Sequence, residues 1–103
     1  MIDRAPAAGE GGFAATAEGW TFAGTLTFAD ATAVFEASRE LALPDSGVVD
    51  LAGLVNADSS ALAVMLALKR RAVSEGVRMV FASIPSGILA LARVYGVEEL
   101  LTI

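Results

Sequence analysis

The side chains able to do chemistry in this 103-residue chain converge on one tripeptide, Asp58-Ser59-Ser60. A carboxylate and two hydroxyls stand where an apolar run gives way to a helical pattern. Their oxygens are thereby presented together with the free N–H groups of a first helical turn. On residue types alone, capping the helix explains all three. Nothing turns the hydroxyls into nucleophiles, because the chain has no histidine to serve as general base or zinc ligand. It also has no cysteine, which removes disulfides, thiolates and soft metal sites and fits a reducing compartment. The twelve acidic residues are scattered apart from Glu98-Glu99, which reads as a solvated helix or strand end. Glycines 9, 11, 12, 19 and 24 match neither a dinucleotide fingerprint nor a phosphate loop, and Lys69 is the only lysine. No catalytic residue, metal or cofactor is expected, and any nucleotide chemistry falls to a partner.

The elements that must position the tripeptide follow from periodicity and punctuation. Residues 1–12, rich in Ala, Gly and Pro, read as a flexible tail, leaving 13–103 as one domain. Phe13–Ala17 and Trp20–Leu26 suit two strands of an antiparallel hairpin turned at Glu18-Gly19. Asp30 looks like the cap of a helix to about Leu43, with Val34, Ala37 and Leu41 as its apolar stripe. Val48–Leu54 reads as a strand buried on both sides, with Asp50 dissonant. A helix from Ser60 to about Ser74 closes at Gly76, and Val77–Ala82 is a further buried-type strand. Pro85 opens a last helix to Tyr95, and Leu100–Ile103 forms a short apolar tail. The order implies an α/β fold, a mostly parallel mixed sheet with an N-terminal antiparallel hairpin, covered by three to four helices.

Composition narrows the partners. The net charge of −5 leaves no footprint for nucleic acid. The start of the chain lacks the charged and apolar regions of a signal peptide. The longest uncharged run, Met79 to Ala92, is too short and too interrupted to span a membrane. With seven aromatics, the core must rest on Leu, Val and Ala.

The passage Val48-Val49-Asp50-Leu51 through Asp58-Ser59-Ser60-Ala61-Leu62 resembles the signature of STAS domains, a hydrophobic strand followed by Asp-Ser-Ser-Gly-Leu opening a helix. Alanine stands here in place of the usual glycine. Gly24-Thr25-Leu26 is similar to the family's Gly-Glu-Leu. The resemblance covers roughly residues 13 to 101. Leu68-Lys69-Arg70-Arg71-Ala72 and the ending Leu89 to Leu101 look like the MlaB branch, subunits of transporters that maintain lipid asymmetry. The resemblance implies a cytoplasmic, non-catalytic regulator or stabiliser bound to the ATPase of a phospholipid-transporting ABC complex. Its membrane association would be indirect, at the inner membrane. Ser59 falls at the position functionally central in STAS domains. In the anti-sigma-factor antagonist branch, the rival reading, that residue is phosphorylated by a partner kinase. A small-molecule carrier using apolar space beneath the helices is a third expectation.

Candidate partner-binding residues are Asp58, Ser59 and Ser60, with Phe35 at the edge of the first helix's apolar stripe. Val64, Ala67 and Arg71 continue from Ser60 along one face of the second helix, opposite Leu62, Met65, Leu66, Ala72 and Val73. Lys69-Arg70-Arg71 lies in that helix's last turns, where cations complement the dipole. Contact with an acidic partner or lipid head groups is the lesser reading.

Overall fold

The computed structural model describes residues 11–103. The expected tail falls outside that range up to residue 10, and Gly12 already pairs with Ala23. The chain runs β1 (Gly12–Thr16), β2 (Gly19–Leu26), α1 (Phe28–Ser38), β3 (Val48–Ala57), α2 (Ser59–Ser74), β4 (Val80–Ala82), α3 (Ser86–Val94) and α4 (Glu98–Thr102). The sheet order is β1-β2-β3-β4. Its first pair is antiparallel, and the next two are parallel, connected through α1 and α2. This is the mixed α/β architecture that the resemblance implies. At the hairpin, Thr16 Oγ1 donates to the Gly19 carbonyl (2.8 Å) and accepts from the Glu18 N–H (3.2 Å).

Burial alternates along the central strands. Trp20, Phe22, Leu26, Val49 and Leu51 are buried, whereas Thr21, Ala23 and Ala52 are exposed. The buried set joins residues from all four helices in a single core. The helices therefore cover one face of the sheet, and β3 is not buried on both sides as its apolar run suggests. Asp50 is explained by the same geometry. It lies outside the core, and its Oδ1 accepts the Ala52 N–H at 3.0 Å. Trp20 is 1% exposed and keeps its indole N–H satisfied on the Ala42 carbonyl at 3.0 Å. Phe13 from β1 closes over it and over Phe22, with ring centroids 5.4 and 4.9 Å away.

Several element ends differ from the sequence reading. Helix α1 starts at Phe28 behind the cap residue Thr27, and Asp30 is its third helical residue rather than its cap. The helix stops at Ser38, and Glu40 and Leu41 follow with tighter N–H bonds to Ala37 and Ser38. Its inward stripe is Ala31, Val34, Phe35, Ser38 and Leu41, while Ala37 is exposed. Buried Ser38 satisfies its hydroxyl on the Phe35 carbonyl at 2.6 Å. Strand β4 is short because residues 75–77 close α2. The Val77 N–H reaches the Ala72 carbonyl (2.8 Å) and the N–H of left-handed Gly76 reaches Val73 (3.1 Å). The expected apolar tail is a helix, α4, with Glu98 and Glu99 in its first turn and Leu101 buried. Acidic residues there complement the helix dipole.

The register between β2 and β3 slips twice, between Thr21 and Ala23 and between Gly24 and Thr25. Gly53 lies in the slipped region, where an added Cβ would sit 2.3 Å from the Phe22 carbonyl oxygen. Backbone cannot yield as a flexible side chain does. Gly53→Ala is expected to destabilise the domain by about 1–3 kcal/mol in denaturant unfolding. An unchanged unfolding midpoint would show that the strands relax at no cost.

Candidate functional site

Strand β3 delivers the chain to Asp58, the cap of α2. Its Oδ1 accepts the Ser60 N–H at 2.8 Å, and its Oδ2 accepts the Phe28 N–H at 2.9 Å. One carboxylate thus satisfies orphan donors from the starts of α1 and α2 and holds the two helix ends side by side. Asp30 does related work within α1. Its Oδ2 accepts the Thr27 N–H (3.0 Å), the Thr27 hydroxyl (2.9 Å) and the Thr25 hydroxyl (2.8 Å). Donors aimed at a carboxylate favour its ionised form. The Asp58 carboxyl is held below its ordinary value chiefly by the Phe28 N–H and then that of Ser60, against burial and the charge of Asp30. Asp30 is lowered by the Thr27 N–H, then by the Thr25 and Thr27 hydroxyls, against burial.

Ser59 is the first residue of α2 and is exposed, whereas Ser60 is half-buried. Asp58 supplies the cap, so the Ser59 hydroxyl is not committed to that task. Two large apolar side chains neighbour this end of the sheet in the open. Phe28 is 84% exposed and Val55 is 76% exposed. A shallow pocket of about 360 Å³ continues the surface, lined by Val55, Asn56, Ala57, Pro85, Gly87 and Leu91 among others. The face therefore unites the start of α1, the end of β3 and the starts of α2 and α3. Sequence reasoning did not single out Phe28 or Val55. The available signal was their position, one beside a helix cap and the other past the buried part of β3.

The remaining candidates are redistributed. Phe35 packs half-buried against the core from the flank of α1, an edge position rather than a free one. Val64 is 4% exposed and belongs to the core, so it cannot face a partner. Ala67 is half-buried. Arg71 is turned onto α1, where its guanidinium donates to the Ser38 (3.1 Å) and Leu41 (2.8 Å) carbonyls and to Glu75 (2.8 Å). The strip from Val64 to Arg71 looks open in sequence because its small residues could serve a partner. In the fold α1 and α2 pack together, and Arg71 terminates α1. Lys69 is likewise occupied, donating to the Met79 (2.7 Å) and Ile103 (2.6 Å) carbonyl oxygens. Val73, expected on the inward side, is exposed.

Among the described residues no group of three or more His, Cys, Asp or Glu side chains is placed to hold a metal. No helix of the described chain is long and apolar enough to cross a membrane.

The lowered carboxyls fix the sign of an acid dependence. Groups whose folded value lies below 3.8 contribute stability that is present above that pH and lost as pH falls through the folded values. Asp58→Asn, which cannot titrate, should therefore be less stable at neutral pH and lose less on acidification. Melting curves taken from neutral pH into the range below 3.8 test this; parallel acid limbs for the two proteins would refute it. Arg71→Ala should cost about 1.5–3 kcal/mol of stability, because two carbonyls and a carboxylate lose a charged donor. An unchanged unfolding free energy would return Arg71 to the surface.

A comparison with known families agrees with this geometry. No curated protein matches the chain. The family model described as "Mlab, STAS domain" matches residues 20–102, from the second residue of β2 to the last residue of α4. That span includes the Asp58 clasp, the exposed Ser59 and every parallel crossover, and the chain belongs to this MlaB-like STAS family.

Proposed function

We propose that this chain is a non-catalytic, protein-binding subunit that stabilises or regulates the cytoplasmic ATPase of an Mla-type phospholipid-transport ABC complex, one that maintains outer-membrane lipid asymmetry. Its place in the cell would be cytoplasmic, attached to the inner membrane through that partner. The observation that carries the reading is the exposed Ser59 on a rigid face beside Phe28 and Val55. Membership of an MlaB-like family supports the choice of partner. Exposed aromatics at the centre of a patch are the usual anchors of protein interfaces. The hydrogen bonds of Asp58 hold the helix starts in place before binding, which limits the entropy lost on docking.

The exposed hydroxyl also fits the anti-sigma-factor antagonist reading, in which a kinase phosphorylates Ser59. The ionised Asp58 beside it and Asp30 nearby would oppose a phosphate at rest there, so modification would work by disruption.

Ser59→Asp leaves the Asp58 cap in place and should change the stability of the isolated domain by no more than about 0.5 kcal/mol. Buried at an interface, the same charge should weaken binding to the cognate ATPase by well over tenfold. Phe28→Ala should weaken that binding by on the order of 2 kcal/mol while leaving the melting temperature nearly unchanged. Thermal melts beside affinity measurements with the purified ATPase decide the matter. Full affinity in both variants would place the contact elsewhere, and stoichiometric phosphorylation of Ser59 by a co-encoded kinase would favour the switch.

A further inference from the structure

A second concave surface lies toward the far end of α2 from Ser59. Arg70 is eleven residues along the helix from Ser59, roughly 16 Å at the helical rise. The groove, about 620 Å³, runs between the last turns of α2, the approach to β4 and α4. Its apolar walls include Val73, Val77, Met79 and Leu100. Val73 is 80% exposed and Leu100 is also exposed, so the apolar surface is open to solvent. A volume in this range is typical of small-molecule sites.

Cationic side chains dominate the groove, with the backbone oxygen of Ile103 held on Lys69. Lys69, Arg70 and Arg78 line the groove, and no carboxylate side chain does. Three of the seven basic residues of a chain with net charge −5 are thus gathered at one apolar surface. Lys69 uses two of its three donors on the Met79 and Ile103 carbonyl oxygens, which pins its ammonium 5.7 Å from the Phe81 ring. Burial first, and then the positive charge of Arg78, pushes its ammonium below the ordinary lysine value. Neither Arg70 nor Arg78 has a hydrogen-bond or ion-pair partner among the described residues. Cations gathered beside an apolar surface complement an anion that carries an apolar chain.

We propose that this groove binds a monomeric single-chain amphiphile with an anionic head, a long-chain carboxylate, its chain on the Val73–Leu100 wall and its head at Arg70 and Arg78. A concave slot suits a single chain better than the flat surface of a bilayer. The proposal concerns a site distinct from the Ser59 face and does not depend on the partner suggested for that face.

The test uses the full chain and dodecanoate below its micellar concentration, followed by amide chemical shifts and calorimetry. Saturable binding is expected, with shifts concentrated at Val73, Val77 and Leu100. Affinity should fall about tenfold or more in an Arg70→Gln/Arg78→Gln variant whose melt matches the parent, because charge-assisted bonds to the head are lost. Val73→Asp should abolish binding. Dodecyl maltoside, with a neutral head, should bind at least tenfold more weakly than dodecanoate. Equal binding of the two amphiphiles, no saturation, or undiminished binding in the variants would overturn the proposal. It would also be overturned if anionic vesicles bound while monomeric dodecanoate did not. The same holds if the cognate ATPase required Val73 while dodecanoate had no effect, since the groove would then belong to a protein partner.

Discussion

The carboxylate of Asp58 has to satisfy N–H groups from two helices at once, and the arrangement of the molecule's active-looking end follows from that requirement. One oxygen takes the Ser60 N–H within its own helix, and the other takes the Phe28 N–H thirty residues earlier in the chain. Each bond removes an orphan donor that a helix start otherwise leaves to water. Because both go to one rigid side chain, α1 cannot shift relative to α2 without breaking one of them. β3 adds the third constraint, since the Asp58 N–H also reaches the Leu26 carbonyl at the end of β2. The exposed Ser59 and Phe28 are therefore carried on a fixed platform, and exposure there is a consequence of the clasp.

The other end of the helical layer is secured by cations rather than by a carboxylate. Arg71 terminates α1 through the Ser38 and Leu41 carbonyls, and Lys69 ties α2 to the entrance of β4 and to the end of α4. Both act on carbonyls near helix or strand ends, of which that of Ser38 also accepts the Leu41 N–H. This division, an anion at the helix starts and cations at their ends, follows the direction of the helix dipole. It also uses up two of the three adjacent basic residues, while Arg70 is exposed and has no side-chain partner among the described residues. The core between the two ends combines one aromatic cluster, Trp20 with Phe13 and Phe22, with Phe81, two methionines and otherwise aliphatic side chains and alanine.

Covering only one face of the sheet has its own effect on the surface. Small residues such as Thr21, Ala23 and Ala52 occupy the bare side, so an exposed sheet face of this size avoids a large apolar patch. Large exposed apolar groups stand at the two ends of α2, besides Val80 on β4 and Val94 and Tyr95 at the end of α3. Phe28 and Val55 stand at the start of α2, and Val73 and Leu100 at its finish. The two surfaces differ in charge, with ionised carboxylates at the first and cations at the second, so they would select different ligands.

The order of strands and helices up to α3, the hairpin and a cap at Asp58 or Ser59 were legible in the sequence because each depends on neighbours in the chain. Periodicity, glycine and proline punctuation and a cap two residues from the N–H it accepts are local physics. The Asp-Ser-Ser-Ala-Leu stretch also carried the family, since that pattern sits on a local strand-to-helix turn. What the sequence could not decide was which side of each element meets another element. Val64 and Arg71 share a strip that suits a partner as well as a neighbouring helix, and only the packing of α1 against α2 assigns it inward. The apolar run of β3 suits a strand covered on both faces, and only the one-sided helical layer makes its burial alternate. Ser38 took the buried place that Ala37 was expected to fill, because a hydroxyl bonded to its own helix can be buried at little cost. Phe28 and Val55 were overlooked because exposure is a property of what fails to arrive, and that depends on contacts far apart in the chain.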